Sequence, residues 1–200
     1  GYTVMGQIPR IPVGVGDRKG VLSYLSEKPT SNAAEAYRNL RTSLMLSNID
    51  NPPRVIISTS CVPGEGKTTN SLALAQNFTG LGKKVLLIEC DIRRRTFQLY
   101  FEGIPDRALV SVLSGEASLE EALLRDEMLQ AWVLAGEKSS VNAADLFASD
   151  KFKTFISDMR EEFDFIIIDC PPVLVVPDAR IIAEVSDAIL FTVKWDSTSK

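Results

Sequence analysis

The stretch TSCVPGEGKTT, Thr59 to Thr69, decides how the rest of the chain reads. It follows the phosphate-loop pattern G-x-x-x-x-G-K-[ST] with one exception: Cys61 stands where the first glycine belongs. That position needs a small residue at a strand-to-loop turn, so cysteine weakens the match without breaking it. Gly64 and Gly66 let the backbone curl around an anion with no Cβ in the way. Loop N–H groups and a following helix N-terminus then present partial positive charge to phosphate. Residues Pro63, Gly64, Glu65, Gly66, Lys67, Thr68 and Thr69 are the candidate nucleotide cradle. Lys67 reaches the β- and γ-phosphates, and the Thr68 hydroxyl binds Mg²⁺, so ATP and Mg²⁺ are the implied ligands. A plain glycine turn would explain the glycines but not G-K-T-T on a helix start after a clean strand. A dinucleotide fingerprint from Gly64 would need glycine at 69, where Thr69 stands.

Outward from this loop, continuously apolar runs alternate with helical segments. RVIIST (54–59), KVLLIEC (84–90), AWVLAG (131–136), FDFIIIDC (163–170) and DAILFTVKW (187–195) read as strands buried on both faces. Helices are predicted at SNAAEAYRNLRTSLMLS (31–47), KTTNSLALAQNFTGLG (67–82), SLEEALLRDE (118–127), SDKFKTFISDMREEF (149–163) and DARIIAEVS (178–186), with Ser31 or Asn32 capping the first. The alternation predicts an α/β fold: a doubly wound, mostly parallel sheet with helices on both faces.

Two more strand ends carry acids. FIIIDCPP places Asp169 at the end of a buried strand, the Walker B arrangement, as a candidate Mg²⁺ ligand. VLLIECDIRRR places Glu89 and Asp91 two residues apart where another strand ends, and such ends converge on the ligand crevice. One acid can sit near the metal while the other takes a proton from a nucleophile. Arg93, Arg94 and Arg95 read equally as phosphate or acidic-partner contacts and as a solvated turn.

Composition excludes several alternatives. The chain has 200 residues, room for one well-buried domain, and a net charge of -4, which gives no global field for nucleic acid or anionic lipid. It has no histidine, which removes the commonest general base and metal ligand. Cys61, Cys90 and Cys170 form no C-x-x-C pair and suit a reduced setting. As each lies at the end of a predicted strand beside a nucleotide motif, the three are expected to cluster around the phosphate site. No apolar run approaches the ~20 residues that span a bilayer. The start, GYTVMGQIPRIPVGVG, reads as an extended arm cut from a longer protein, so residues 1–30 are expected to form a juxtamembrane-type arm and residues 31–200 the phosphate-loop domain.

Taken together, the chain resembles the bacterial tyrosine kinases of polysaccharide export. PGEGKTT resembles their Walker A motif, VLLIECDIRR their Walker A′ motif and IIIDCPP their Walker B motif. EAYRNLRTSL resembles their E-x-x-R-x-x-R pattern through Glu35, Arg38 and Arg41, VLAGEKSSVNAADLFASDKF their strand-to-helix stretch around Asn142 and Leu146, and MGQIPRIP their entry arm. The resemblance implies an ATP-dependent tyrosine autokinase with Lys67, Glu89 and Asp91 catalytic, Glu89 taking the proton of the tyrosine hydroxyl. It implies Thr68, Asp91 and Asp169 around Mg²⁺. It also implies a ring-like homo-oligomer joined through Glu35, Arg38 and Arg41, and a place at the inner face of the bacterial inner membrane. The partners implied are a transmembrane or periplasmic polysaccharide co-polymerase segment and a phosphotyrosine phosphatase, with no nucleic acid. The family has Asp where Glu89 stands, one methylene shorter, and ends in a tyrosine-rich tail. Here Tyr2, Tyr24, Tyr37 and Tyr100 do not cluster, so the tail is expected beyond this chain. Two competing functions are a non-kinase, ATP-driven assembly switch and a partition or Min-type ATPase. The latter carries a lysine one place after the first loop glycine, where this chain has Val62.

Overall fold

A computed structural model describes residues 3–14 and 16–195. Tyr2, in the expected arm, and the last five residues lie outside the described residues. In chain order the elements are α1 (Arg18–Glu27), α2 (Asn32–Leu46), β1 (Val55–Ser60), α3 (Lys67–Thr79), β2 (Val85–Glu89), a 3-10 turn (Thr96–Leu99), α4 (Leu109–Ser114), α5 (Leu119–Ala122), β3 (Leu124–Asp126), β4 (Ala131–Leu134), α6 (Ala143–Ala148), α7 (Asp150–Glu162), β5 (Phe165–Asp169), α8 (Asp178–Ile182), a second 3-10 turn (Ala183–Val185) and β6 (Ala188–Thr192).

The strands form one sheet in the order β3-β4-β2-β5-β1-β6, parallel except for the β3–β4 pair. The expected doubly wound class is therefore observed. Period-two alternation sorts the residues of β1, β2 and β5 between two cores. Ile56, Leu87 and Ile167 face a cluster with Leu22, Tyr37, Leu40, Leu74 and Phe78 of α1, α2 and α3. Ile57, Ile88 and Ile168 face the other cluster, with Phe147, Phe152, Ile156 and Ile182 of α6, α7 and α8. Burial on both faces explains the unbroken apolar runs of β1, β2 and β5. Strand β6, expected from 187–195 to be buried on both faces, is instead a five-residue edge strand with Ile189 and Phe191 54% and 44% exposed, because no further strand or helix among the described residues covers that face. Each fully buried Ile or Leu contributes about 1.5–3 kcal/mol. Phe78 of α3 stacks on Phe165 of β5 with ring centroids 3.9 Å apart, seating the phosphate-loop helix on the sheet.

Ser31, not Asn32, caps α2: its hydroxyl accepts from the Ala34 N–H at 3.2 Å. Two further polar links fasten α2. The Tyr37 hydroxyl donates to Asn70 Oδ1 at 2.7 Å in the first turn of α3, and Asn70 Nδ2 donates to Thr192 Oγ1 of β6 at 3.0 Å.

The structure differs from the sequence expectation elsewhere too, and α4 (Leu109–Ser114) is a helix the sequence reading does not predict. Residues 118–127 do not form one helix. A capping box of Ser118 and Glu121 starts α5, Leu123 then leaves helical angles (φ -82, ψ 136), and Leu124–Asp126 pairs with β4. Asp126 Oδ1 accepts from Leu129 N at 2.7 Å, closing the hairpin turn. Between β4 and α7 lies α6, capped by Asn142 and separated from α7 by extended Ser149. Within the span expected as an arm, residues 3–14 are neither helix nor strand, but α1 is a ten-residue helix whose Leu22 and Leu25 enter the core.

Candidate active site

The strand register places the acids in one row. Ser58 of β1 pairs with Asp169 of β5, and Asp169 pairs with Glu89 of β2. These are the carboxyl ends of three adjacent parallel strands, where a doubly wound sheet binds ligands. The phosphate loop leaves β1 directly over them. Gly64 (φ 85) and Gly66 (φ 93) occupy left-handed backbone that favours glycine, and a Cβ at either would meet no heavy atom within 4 Å. The loop is thus uncrowded at both glycines. Glu65 secures it: one carboxylate oxygen accepts from Val62 N at 2.9 Å and the other from Lys194 N at 3.1 Å. Pro63 is exposed, and the Thr69 hydroxyl lies 3.3 Å from that of Tyr100.

Lys67 and Thr68 open α3 and are buried. The Lys67 ammonium sits 3.5 Å from Asp91 and 3.4 Å from Asp169. The Thr68 hydroxyl donates to Asp169 Oδ2 at 2.8 Å, and the Ser71 hydroxyl lies 3.2 Å from Asp169 Oδ1. Ser58 Oγ donates to the Lys67 carbonyl at 3.0 Å, holding the helix start to β1. Burial raises the Asp169 pKa; Lys67 and Thr68 oppose that rise and Asp91 adds to it.

The two acids of β2 are held differently. Glu89 is 1% exposed, and both its oxygens accept backbone hydrogen bonds at 2.9 Å, Oε1 from Phe97 N and Oε2 from Gly136 N. Burial raises its pKa to about 7; the two N–H donors lower it, and Asp169 and Asp91 raise it. Asp91 Oδ1 accepts a 3.3 Å bond from Arg94 N, while its buried Oδ2 has no hydrogen-bond partner and faces only the Lys67 ammonium. A carboxylate oxygen left in this way beside a lysine, a threonine hydroxyl and a second carboxylate fits a hydrated divalent cation, and the uncrowded loop fits a triphosphate. The residues present therefore match ATP with Mg²⁺.

Several functional neighbours carry no sequence signal of their own. Asp178, fully buried, pairs with Arg93, and its Oδ1 has no partner; in sequence it reads as an ordinary helix-start acid. The pairing assigns Arg93 a structural contact that the run of three arginines left open. Cys90 and Cys170 adjoin beneath the site, where burial pushes both thiols up, while Cys61 in the loop is half-buried. The expected trio thus divides into two inert buried thiols and one open one. Away from the site, Arg38 pairs with Glu35 on the outer face of α2, and Arg41 reaches Asn77 of α3, 3.4 Å from its side-chain oxygen.

Comparison with known proteins follows this geometry. A family model described as an AAA domain matches residues 54–199. Tyrosine-protein kinase YwqD of Bacillus subtilis is 34% identical over 173 residues, 86% of this chain and 73% of that protein. The succinoglycan biosynthesis transport protein ExoP of Rhizobium meliloti is 31% identical over 175 residues, 86% of this chain but 22% of that longer protein. The kinase domain of Escherichia coli tyrosine kinase ETK superposes with a TM-score of 0.82 at 25% identity, over 88% of this chain and 69% of that one.

Proposed function

The chain belongs to the bacterial tyrosine kinases, and from that premise we propose that it transfers the γ-phosphoryl group of ATP to tyrosine on a neighbouring subunit, in exopolysaccharide synthesis and export. The observation that carries the reading is the Lys67 ammonium held between Asp91 and Asp169 beside the Thr68 hydroxyl. ATP bound with Mg²⁺ supplies the phosphoryl group and the charge that neutralises it. Pro63 to Thr69 cradle the triphosphate. Lys67 would neutralise the β- and γ-phosphates, and Thr68, Asp91 and Asp169 would hold the Mg²⁺ that neutralises the remaining charge. Positioning and electrostatics are what phosphoryl transfer asks of a protein, and a chain without histidine can supply both. The tyrosine proton goes to a carboxylate at the end of β2, Glu89 or Asp91.

Tyr37 and Tyr100 are 1% and 9% exposed, which argues against either as the acceptor, while Tyr24 is half-buried; the acceptor in this reading is a tyrosine of a neighbouring copy. Glu35 and Arg38 on the outer face of α2, with Arg41 behind them, form the contact that builds a head-to-tail ring. Among the described residues no helix is long and apolar enough to cross a membrane. The partner in this reading is a transmembrane co-polymerase segment that holds the domain at the inner membrane, which the 22% share of the longer ExoP that this chain matches supports, and a phosphatase resets the phosphotyrosines.

The test incubates the full-length protein with γ-labelled ATP and Mg²⁺ and probes for phosphotyrosine. Label on tyrosine is expected. MgATP binding without phosphotyrosine would replace this reading with an assembly switch. For the ring, light scattering across a concentration series compares the parent with Glu35, Arg38 and Arg41 all changed to Ala. The variant is expected to be monomeric with unchanged MgATP affinity, and equal assembly by both would remove α2 from the interface.

A further inference from the structure

The end of β2 carries two acids with different hydrogen bonding: Glu89 has both oxygens engaged, whereas Asp91 Oδ2 accepts no hydrogen bond. Glu89 spends both oxygens on backbone donors that are far apart in sequence: Phe97 N, where the 3-10 turn begins, and Gly136 N, just past β4. The first bond closes the eight-residue loop that carries Asp91. Inside that loop Arg95 N donates to the Asp91 carbonyl at 2.9 Å, and Arg94 N lies 3.3 Å from Asp91 Oδ1. The second bond ties the loop to the neighbouring strand. Gly136 is shaped to this carboxylate: a Cβ there would lie 3.1 Å from Glu89 Oε2 and 3.2 Å from Cγ, closer than such contacts normally run. An aspartate at 89, shorter by about 1.5 Å of chain, cannot reach both donors. The glutamate and the glycine fit one another as a clasp.

We propose that Glu89 is a positioning residue for phosphoryl transfer, its carboxylate clasping the Asp91 loop to the end of β4, and that Asp91 is the acid of β2 that acts on the reacting groups. The inference rests on the kinase reading above and narrows it. It reverses what the family resemblance implies for Glu89, for a reason visible in the geometry. A proton acceptor must offer a carboxylate oxygen to the tyrosine hydroxyl. Glu89 and Asp91 are equally buried, at 1% and 2% exposed, but both Glu89 oxygens are already taken by backbone donors. Asp91 Oδ2, by contrast, accepts no hydrogen bond and has the Lys67 ammonium 3.5 Å away, at the end of the phosphate loop.

The experiment uses the full-length protein and the variants Glu89→Asp, Glu89→Gln and Gly136→Ala. It reads kcat and KM for MgATP in tyrosine phosphorylation, affinity for a fluorescent ATP analogue with Mg²⁺, and hydrogen exchange at the Phe97 and Gly136 amides. As positioning changes, all three variants raise exchange at both amides, raise KM for MgATP and lower kcat/KM by up to about a hundredfold. Gly136→Ala leaves both acids chemically intact, so it carries the test if a Glu89 variant does not fold. Two results overturn the proposal. One is a Glu89→Asp protein with the parent's kcat/KM or better, as a base restored to the family's residue would show. The other is a Gly136→Ala protein unchanged in every measurement. A parent that makes no phosphotyrosine refutes the kinase reading instead, and the clasp is then still read by exchange and nucleotide affinity.

Discussion

The two ends of the same sheet treat carboxylates in opposite ways: Asp187 and Asp164 at the amino ends are exposed and well partnered, whereas Asp91, Asp169 and Asp178 at the carboxyl ends are buried. At the amino ends of the strands, Asp187 Oδ2 accepts from Arg54 N, Val55 N and Arg160 Nη1 at 2.8–2.9 Å, and Oδ1 accepts from Arg160 Nη2 at 2.8 Å. Asp164 accepts from Lys84 N at 2.7 Å, and Arg54 donates to the carbonyls of Asp164 and Phe163. Burial works against the Asp187 charge, yet Arg160 and the two backbone donors outweigh it and hold its pKa below the ordinary value. At the carboxyl ends, Asp91 and Asp178 each keep a buried oxygen with no hydrogen-bond partner, and burial holds Asp169 above its ordinary pKa. The first arrangement is complete as folded. The second leaves acceptors open for a ligand, and stability and function are divided accordingly between the two ends.

The strongest way to break this contrast is Lys67→Met. It removes the cation between Asp91 and Asp169, and phosphotyrosine yield is expected to fall by at least about 10²–10³-fold. The melting temperature should stay within about 4 °C of the parent, because Asp169, already raised in pKa, can take up a proton in place of the lost lysine. A large loss of stability with retained transfer would reverse the roles of the two ends.

Asp187→Ala is the mirror experiment. It removes four hydrogen bonds and leaves Arg160 without its partner, at a cost of about 2–3 kcal/mol given the partial exposure of the pair. Melting should fall by roughly 4–12 °C while MgATP affinity is unchanged. The pH dependence sharpens the test. A carboxylate whose pKa is lowered in the folded state adds stability above its unfolded pKa of about 3.9 and loses it as pH falls through the folded value. The parent's advantage over Asp187→Asn should therefore be full at neutral pH and shrink only below about pH 3.9. An advantage that fades between pH 7 and 5 would point to another group.

Asp164→Ala should have the smallest effect. It removes a single bond to Lys84 N, costing about 1 kcal/mol, or roughly 2–4 °C of melting temperature. An effect equal to that of Asp187→Ala would show that the amino-end acids act as one unit.

The functional end was far more legible in the sequence than the structural one. Lys67, Thr68, Asp91 and Asp169 belong to motifs whose spacing encodes strand, turn and helix locally, so their convergence follows from the fold class. Asp187 and Arg54 meet across 133 residues and Arg160 joins from a helix surface, with no local pattern to mark them. Glu89 was visible as an acid at a strand end, but its partners were not, because backbone N–H groups leave no trace in a sequence. Residues 123–127 were misread because the apolar pair Leu123–Leu124 suits a helix face and an edge strand alike, and the Asp126 turn decides between them. Helix α1 was hidden by the Gly- and Pro-rich stretch before it, although Leu22 and Leu25 do reach the core.

The path from Tyr37 through Asn70 to Thr192 gives the molecule a fastening. Asn70 lies three residues after Lys67 on α3, so the buried face of α2 is joined to the helix turn that carries the lysine by one hydrogen bond, and a second hydrogen bond joins that same turn to β6, an edge strand of the sheet. One asparagine thus bolts a surface helix, the start of the phosphate helix and the rim of the sheet together at a single point.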